Sequence, residues 1–146
     1  MPRVLAVDWG ERRVGLAVSD PRAIIASGLA TLEVRGRADA VERVAVAAHD
    51  AEAETIVVGL PLLLNGERGA AARAAEAFAE ALRARVEVPV LTYDERLTTT
   101  ISERRLREVG VRPGRSRGRV DQGAAVALLE SYLQRLHARE APGEGP

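Results

Sequence analysis

Leu5-Ala6-Val7-Asp8-Trp9-Gly10-Glu11-Arg12-Arg13-Val14-Gly15-Leu16-Ala17-Val18-Ser19 is the stretch on which the fold turns. Arg3 to Val7 is apolar and rich in β-branched residues, the pattern of a buried strand. Asp8 to Arg12 reads as a turn, and Arg13 to Ser19 as a second strand pairing back on the first. Asp20-Pro21 ends that hairpin, and Ser27 to Val34 predicts a third strand.

Working outward, the hydrophobic period changes. From Gly36 onward Val41, Val44, Ala45 and Ala48 fall at helical spacing. Thr55 to Leu60 is an uninterrupted apolar run of the kind found in central parallel strands. Pro61 to Gly69 reads as a loop, Ala70 to Arg85 as an alanine-rich helix, and Val88 to Tyr93 as a strand ending at Asp94-Glu95. A helix is expected over Thr98 to Val109, with Thr100 and Glu103 as a capping box. Gly110 to Arg119 reads as a loop, and Asp121 opens a last helix reaching about Arg139. The expected class is α/β: a five-stranded mixed sheet, with three antiparallel strands first and two parallel strands reached through helical crossovers. The 146 residues suit a single domain over 1–140 with a frayed tail at 141–146.

Composition excludes several chemistries. Without cysteine there is no disulfide framework, no thiolate metal site and no cysteine nucleophile. The N-terminus does not read as a signal peptide, because its apolar run is short and broken by Asp8. Thr55 to Leu64 contains Gly59 and Pro61 and is too short to span a bilayer, so a cytoplasmic protein without membrane contact is expected. Net charge is zero, but every basic side chain except the two histidines is arginine. Arginine favours bidentate phosphate contacts, although GC-rich coding DNA would produce the same bias.

Aspartate is sparse, which makes its placement informative. Asp8 stands where the first strand meets its turn, Asp94 and Glu95 at the end of the last strand, and Asp121 at the start of the last helix. Ligands of open α/β sheets bind beyond the carboxyl ends of strands, so these acids can converge from distant segments. Clustered carboxylates repel, and a divalent cation removes the conflict. All-oxygen donors suit magnesium or manganese, and two such ions can act on a phosphodiester without a protein nucleophile. Each acid alone is equally compatible with a turn, a solvated strand end or a helix N-terminus. The pattern does not choose between Asp94 and Glu95.

The opening stretch through Asp20 resembles the start of the YqgF/RuvX family, which is described in terms of pre-16S ribosomal RNA nucleases and Holliday junction resolvase-like proteins. Val57-Val58-Gly59-Leu60-Pro61 with Asn65-Gly66 is similar to its glycine-leucine-proline loop, and Asp94-Glu95-Arg96-Leu97-Thr98-Thr99 to its most specific signature. Asp121 with Ala124-Ala125 and Tyr132-Leu133 resembles its terminal helix. The resemblance implies an RNase H-like fold and a catalytic metal site of Asp8, Glu95 and Asp121, favouring Glu95 over Asp94. Trp9, and the apolar Leu63-Leu64 before Asn65, depart from the usual pattern.

Arg112, Arg115, Arg117 and Arg119 lie in a stretch without acids and are expected to contact phosphates. Arg104, Arg105 and Arg107 fit a solvated helix face equally well. Arg12, Arg13 and Arg96 flank the acids and are further candidates for nucleic-acid contact. Trp9 is expected to pack on the fold rather than stack on a base, and His49 and His137 look incidental. The leading expectation is a metal-dependent nuclease acting on a ribosomal RNA precursor, with branched DNA second, as a monomer or a homodimer. A non-catalytic nucleic-acid-binding maturation factor and a phosphotransferase of the actin–sugar kinase type are the alternatives.

Overall fold

A computed structural model of the chain describes residues 3–98 and 117–140 and, within the last segment, the side chains of residues 123–139. Its elements are β1 (Arg3–Asp8), β2 (Arg13–Ser19), β3 (Ala26–Glu33), α1 (Arg37–Asp50), β4 (Ala53–Leu60), α2 (Ala70–Arg85), β5 (Val90–Asp94), a 3-10 turn (Glu95–Leu97) and α3 (Arg117–Glu140). The strands form one sheet in the order β3-β2-β1-β4-β5. β2 lies antiparallel to both β1 and β3, whereas β4 is parallel to both β1 and β5. This is the expected mixed sheet.

Strand alternation sorts the core into two layers. Leu5 and Val7 on β1 and Ile56 and Val58 on β4 point to one face, where they pack with Val44 and Ala48 of α1 and Phe78 and Leu82 of α2. Val4, Ala6 and Val57 point to the other face and meet Ala125, Leu128, Leu129 and Leu133 of α3. β1 and β4 are buried on both sides, which is why their sequences read as continuous apolar runs. In α2 the buried residues Ala72, Ala75, Phe78, Ala79 and Leu82 recur at helical spacing.

The bounds of α2 and α1 follow the hydrophobic period, but three expectations need correction. β5 begins at Val90, two residues later than read. Pro89 cannot donate to a ladder, though its carbonyl accepts from the Ile56 N–H at 2.9 Å. The last helix starts at Arg117, so Arg117 and Arg119 lie in its first turn rather than in a loop, and Asp121 does not open it. Glycine at 118 lowers helix propensity and disguised that turn. After β5 the chain makes a 3-10 turn before Thr98, where the expected helix was to begin. The rest of that helix and its capping box, Arg104, Arg105, Arg107, Arg112 and Arg115, and the tail at 141–146 lie outside the described residues. No helix among the described residues is long and apolar enough to cross a membrane.

Ser19 ties β2 to the start of β1. Its hydroxyl is buried and accepts the Val4 N–H at 2.8 Å. Ser19→Ala leaves that donor without its partner and should cost about 1–3 kcal/mol. A denaturant midpoint equal to that of the parent would contradict this.

Candidate active site

The site assembles from strand ends. Asp8 is the last residue of β1 and pairs with Gly15 of β2. Continuing the alternation of Val4 and Ala6, it falls on the α3 face of the sheet. Gly10 closes the following turn so tightly that a Cβ there would collide with the Arg13 carbonyl oxygen. Glycine at position 10 is thus a requirement of this turn.

β4 is the strand between β1 and β5. One residue beyond the Val7–Val58 pair, Gly59 comes next to the end of β1, while on its other side it pairs with Tyr93. By alternation from Val57, Gly59 shares the α3 face with Asp8. Glu95, in the 3-10 turn just past β5, folds its side chain into the space that Gly59 leaves. A Cβ at position 59 would lie 3.1 Å from the Glu95 carboxyl carbon and 3.2 Å from Oε1. Glu95 is 4% exposed. Asp8 and Glu95, 87 positions apart by number, therefore reach the same face and the same end of the sheet from either side of Gly59.

Asp94 has a different task. It caps the 3-10 turn by accepting the Arg96 N–H at 2.9 Å, and its carboxylate takes the Arg96 guanidinium through Nη2 at 2.7 Å. The Arg96 side chain holds the Asp94 carboxyl below the ordinary carboxylate range, and Asp94 in turn raises the Arg96 guanidinium. Since the folded-state pKa is depressed, the stabilisation is full above the ordinary range near 3.8 and disappears as pH falls through the folded value. Arg96→Ala should return the Asp94 titration toward its ordinary value in a carbon-detected NMR titration. An unmoved midpoint would show that the backbone N–H alone sets it.

Helix α3 is fastened beside Glu95. The Tyr93 hydroxyl lies 2.7 Å from Ser131 Oγ, and Ser131 Oγ makes a longer contact of 3.4 Å to the Leu97 carbonyl. Tyr93 and Tyr132 also meet edge to face with centroids 5.9 Å apart. Sequence reasoning missed Tyr93 and Ser131; their sole signal was the Tyr93-Asp94-Glu95 order, which puts Tyr93 at the neighbouring strand end. Position 121 lies in the second turn of α3, one turn before the buried Ala125. The Asp121 side chain, like those of Arg117 and Arg119, lies outside the described residues.

Arg12 is exposed in the β1–β2 turn, and Arg13, half-buried, starts β2 at the same end of the sheet as Asp8. Arg96 is engaged by Asp94 and reaches the Leu64 carbonyl oxygen at 3.4 Å, so it braces the structure beyond any role toward phosphate. Trp9 stacks on Phe78 with centroids 4.7 Å apart, packing on the fold as expected. His137 is not incidental: its Nε2 donates to the Ala23 carbonyl at 2.6 Å, tying the end of α3 to the β2–β3 turn.

The donor set suits a hard divalent cation. Asp8 and Glu95 offer carboxylate oxygens only, and Glu95 is fixed by close backbone approach. No group of three or more acids or histidines is gathered among the described residues, a set that lacks the Asp121 side chain.

Comparisons with known proteins bear on the fold and the family. A family model described as RuvX, Holliday junction resolvase, matches residues 2–135. A protein of Roseiflexus sp. (strain RS-1), named "Putative pre-16S rRNA nuclease", is 39% identical over 131 residues, covering 90% of this chain and 93% of its own. A protein of the same name from Mycobacterium sp. (strain KMS) is 45% identical, covering 98% of this chain and 86% of its own. Among solved structures, T. thermophilus RuvC in complex with a Holliday junction substrate superposes with a TM-score of 0.62 at 17% identity, covering 97% of each chain. Fowlpox virus resolvase with its junction DNA gives 0.54 at 10% identity, covering 92% of this chain and 98% of its own. These likenesses establish the RNase H-like fold. With a family match over nearly its whole length and relatives 39 and 45% identical to it, the chain belongs to the RuvX family of resolvase-like nucleases.

Proposed function

We propose that this chain is a divalent-metal-dependent nuclease that hydrolyses phosphodiester bonds in the precursor of 16S ribosomal RNA, in the cytoplasm, with Asp8, Glu95 and Asp121 as its metal-holding carboxylates. The observation that carries the reading is the approach of Glu95 over Gly59 to the strand end that bears Asp8. Magnesium or manganese, as a pair of ions, would supply Lewis acidity, an activated water and neutralisation of the leaving oxygen. The chain's own residues fix the geometry. Asp8 and Glu95 present their oxygens from rigid strand ends, and Tyr93 with Ser131 fastens α3 beside them. Arg12 and Arg13 stand where they can draw a phosphate backbone to that end, and Arg112, Arg115, Arg117 and Arg119 are proposed for phosphate contact on the sequence alone.

Precursor ribosomal RNA is favoured because the relatives at 39 and 45% identity carry that name, whereas the structural neighbours share the fold at 17 and 10% identity. Branched DNA is the second reading, favoured by the family description. Symmetric cleavage of a junction calls for two active sites and hence a homodimer, while RNA trimming needs only a monomer. The deciding experiment is cleavage mapping on a precursor 16S RNA fragment and on a four-way DNA junction, side by side with magnesium. Expected is cutting near the RNA 5′ end that disappears in Glu95→Gln. Cutting of the junction alone would replace the substrate, and metal-dependent binding without any cutting would replace the enzyme by a maturation factor.

A further inference from the structure

The loop from Pro61 to Gly69 follows β4 at the end of the sheet where Asp8 and Glu95 stand. Its apolar Leu63-Leu64 has no part in the site described so far. Leu64 is 96% exposed, the most exposed of the large apolar residues described. A lone exposed leucine ordinarily needs no explanation. This one is held out on a braced support.

The Leu63 N–H donates to the Glu67 carbonyl at 2.9 Å, and the Gly66 N–H donates back to the Leu63 carbonyl at 2.8 Å. Asn65 Oδ1 accepts the Glu67 N–H at 2.9 Å. Gly66 takes φ of +88°, a conformation other residues rarely adopt, and the Arg96 guanidinium lies against it. Arg96 Nη1 reaches the Leu64 carbonyl at 3.4 Å while Asp94 holds the same guanidinium from behind. Arg96 directly follows Glu95 in the chain, so the loop tip is strapped to the residue beside a candidate metal ligand.

We propose that Leu64 is a base-contacting prong of the nuclease, packing its side chain against or between nucleobases of the bound strand, with Arg96 as the positioning residue that holds it at the site. This rests on the nuclease reading above. Nucleobase faces are apolar, and an aliphatic side chain inserted at a base step unstacks it without reading sequence. The cost is least where the strand is already single. A rigid prong fixes the spacing between the base it grips and the bond presented to the carboxylates.

The test uses the full chain in EDTA, where cleavage does not confuse binding. The probes are an RNA hairpin with a single-stranded extension and a four-way DNA junction, each carrying 2-aminopurine at successive positions. The parent chain should raise 2-aminopurine emission at one or two adjacent positions of one probe. Leu64→Ser should lose that rise and weaken binding by about tenfold, while Leu64→Met keeps both. The side chain is exposed, so the melting temperature of both variants should match the parent. Equal emission and affinity for Leu64→Ser and parent overturn the proposal, as does a parent without any emission change. So does a Leu64→Ser effect confined to self-association in sedimentation. The carboxylate reading fails separately: full cleavage by Glu95→Gln sinks it, and loss of the emission rise in Leu64→Ser still upholds the prong.

Discussion

Asp8→Asn protein should cleave its nucleic-acid substrate at least about a thousandfold more slowly than the parent while melting at nearly the same temperature. The substitution preserves shape and hydrogen-bonding capacity but removes the charge. A metal ion contributes several kcal/mol to a phosphodiester transition state, and each 1.36 kcal/mol is about tenfold in rate. Asp8 is the only acid on β1, so no neighbour on its strand can replace it. The measurement is a single-turnover rate at saturating enzyme over a range of magnesium and manganese concentrations. A rate within tenfold of the parent at saturating metal would remove Asp8 from the site.

Gly59→Ala should lower kcat by roughly tenfold, although position 59 bears no chemistry of its own. The added Cβ would arrive 3.1–3.2 Å from three atoms of the Glu95 side chain, tighter than most such contacts. With backbone strands on both sides, Glu95 is what must give, by a few tenths of an ångström; since about 1 Å of misplacement costs on the order of a hundredfold, a loss of roughly tenfold is expected. Overpacking should also remove about 1–3 kcal/mol of stability. Glu95→Asp in the Gly59→Ala background supplies the control: shortening the acid relieves the clash, so stability should recover. If Gly59→Ala turns over at the parent rate, Glu95 does not depend on that approach.

The two replacements probe different levels of what was legible. The sheet was readable because its strands obey simple periods. β1 and β4 are apolar on both faces since helices cover both, and the buried stripe of α2 recurs at helical spacing. Asp8 stood out as a charge at the end of such a strand. The different settings of Asp94 and Glu95 were beyond periodicity, because both acids follow the same strand. They depend on the 3-10 turn, which sends Asp94 to Arg96 and Glu95 over Gly59. The bracing role of Arg96 was equally hidden, because it relies on a loop more than thirty positions away by number. The start of α3 was misread because Gly118 sits where a helix former was expected.

The strand order also bears on when the site comes into being. β1, β2 and β3 are sequential neighbours and pair locally, whereas β4 must cross back to β1 and β5 must then dock beside β4. Contacts between distant segments form slowly, because chain entropy is lost before they repay it. The hairpin that carries Asp8 can thus stand complete while Glu95 is still unplaced, or still inside the machine that is synthesising it. A nascent or half-folded copy would hold one acid of the pair and lack the geometry to cut. For an enzyme proposed to trim ribosomal RNA, this delay would spare the ribosome that is making it.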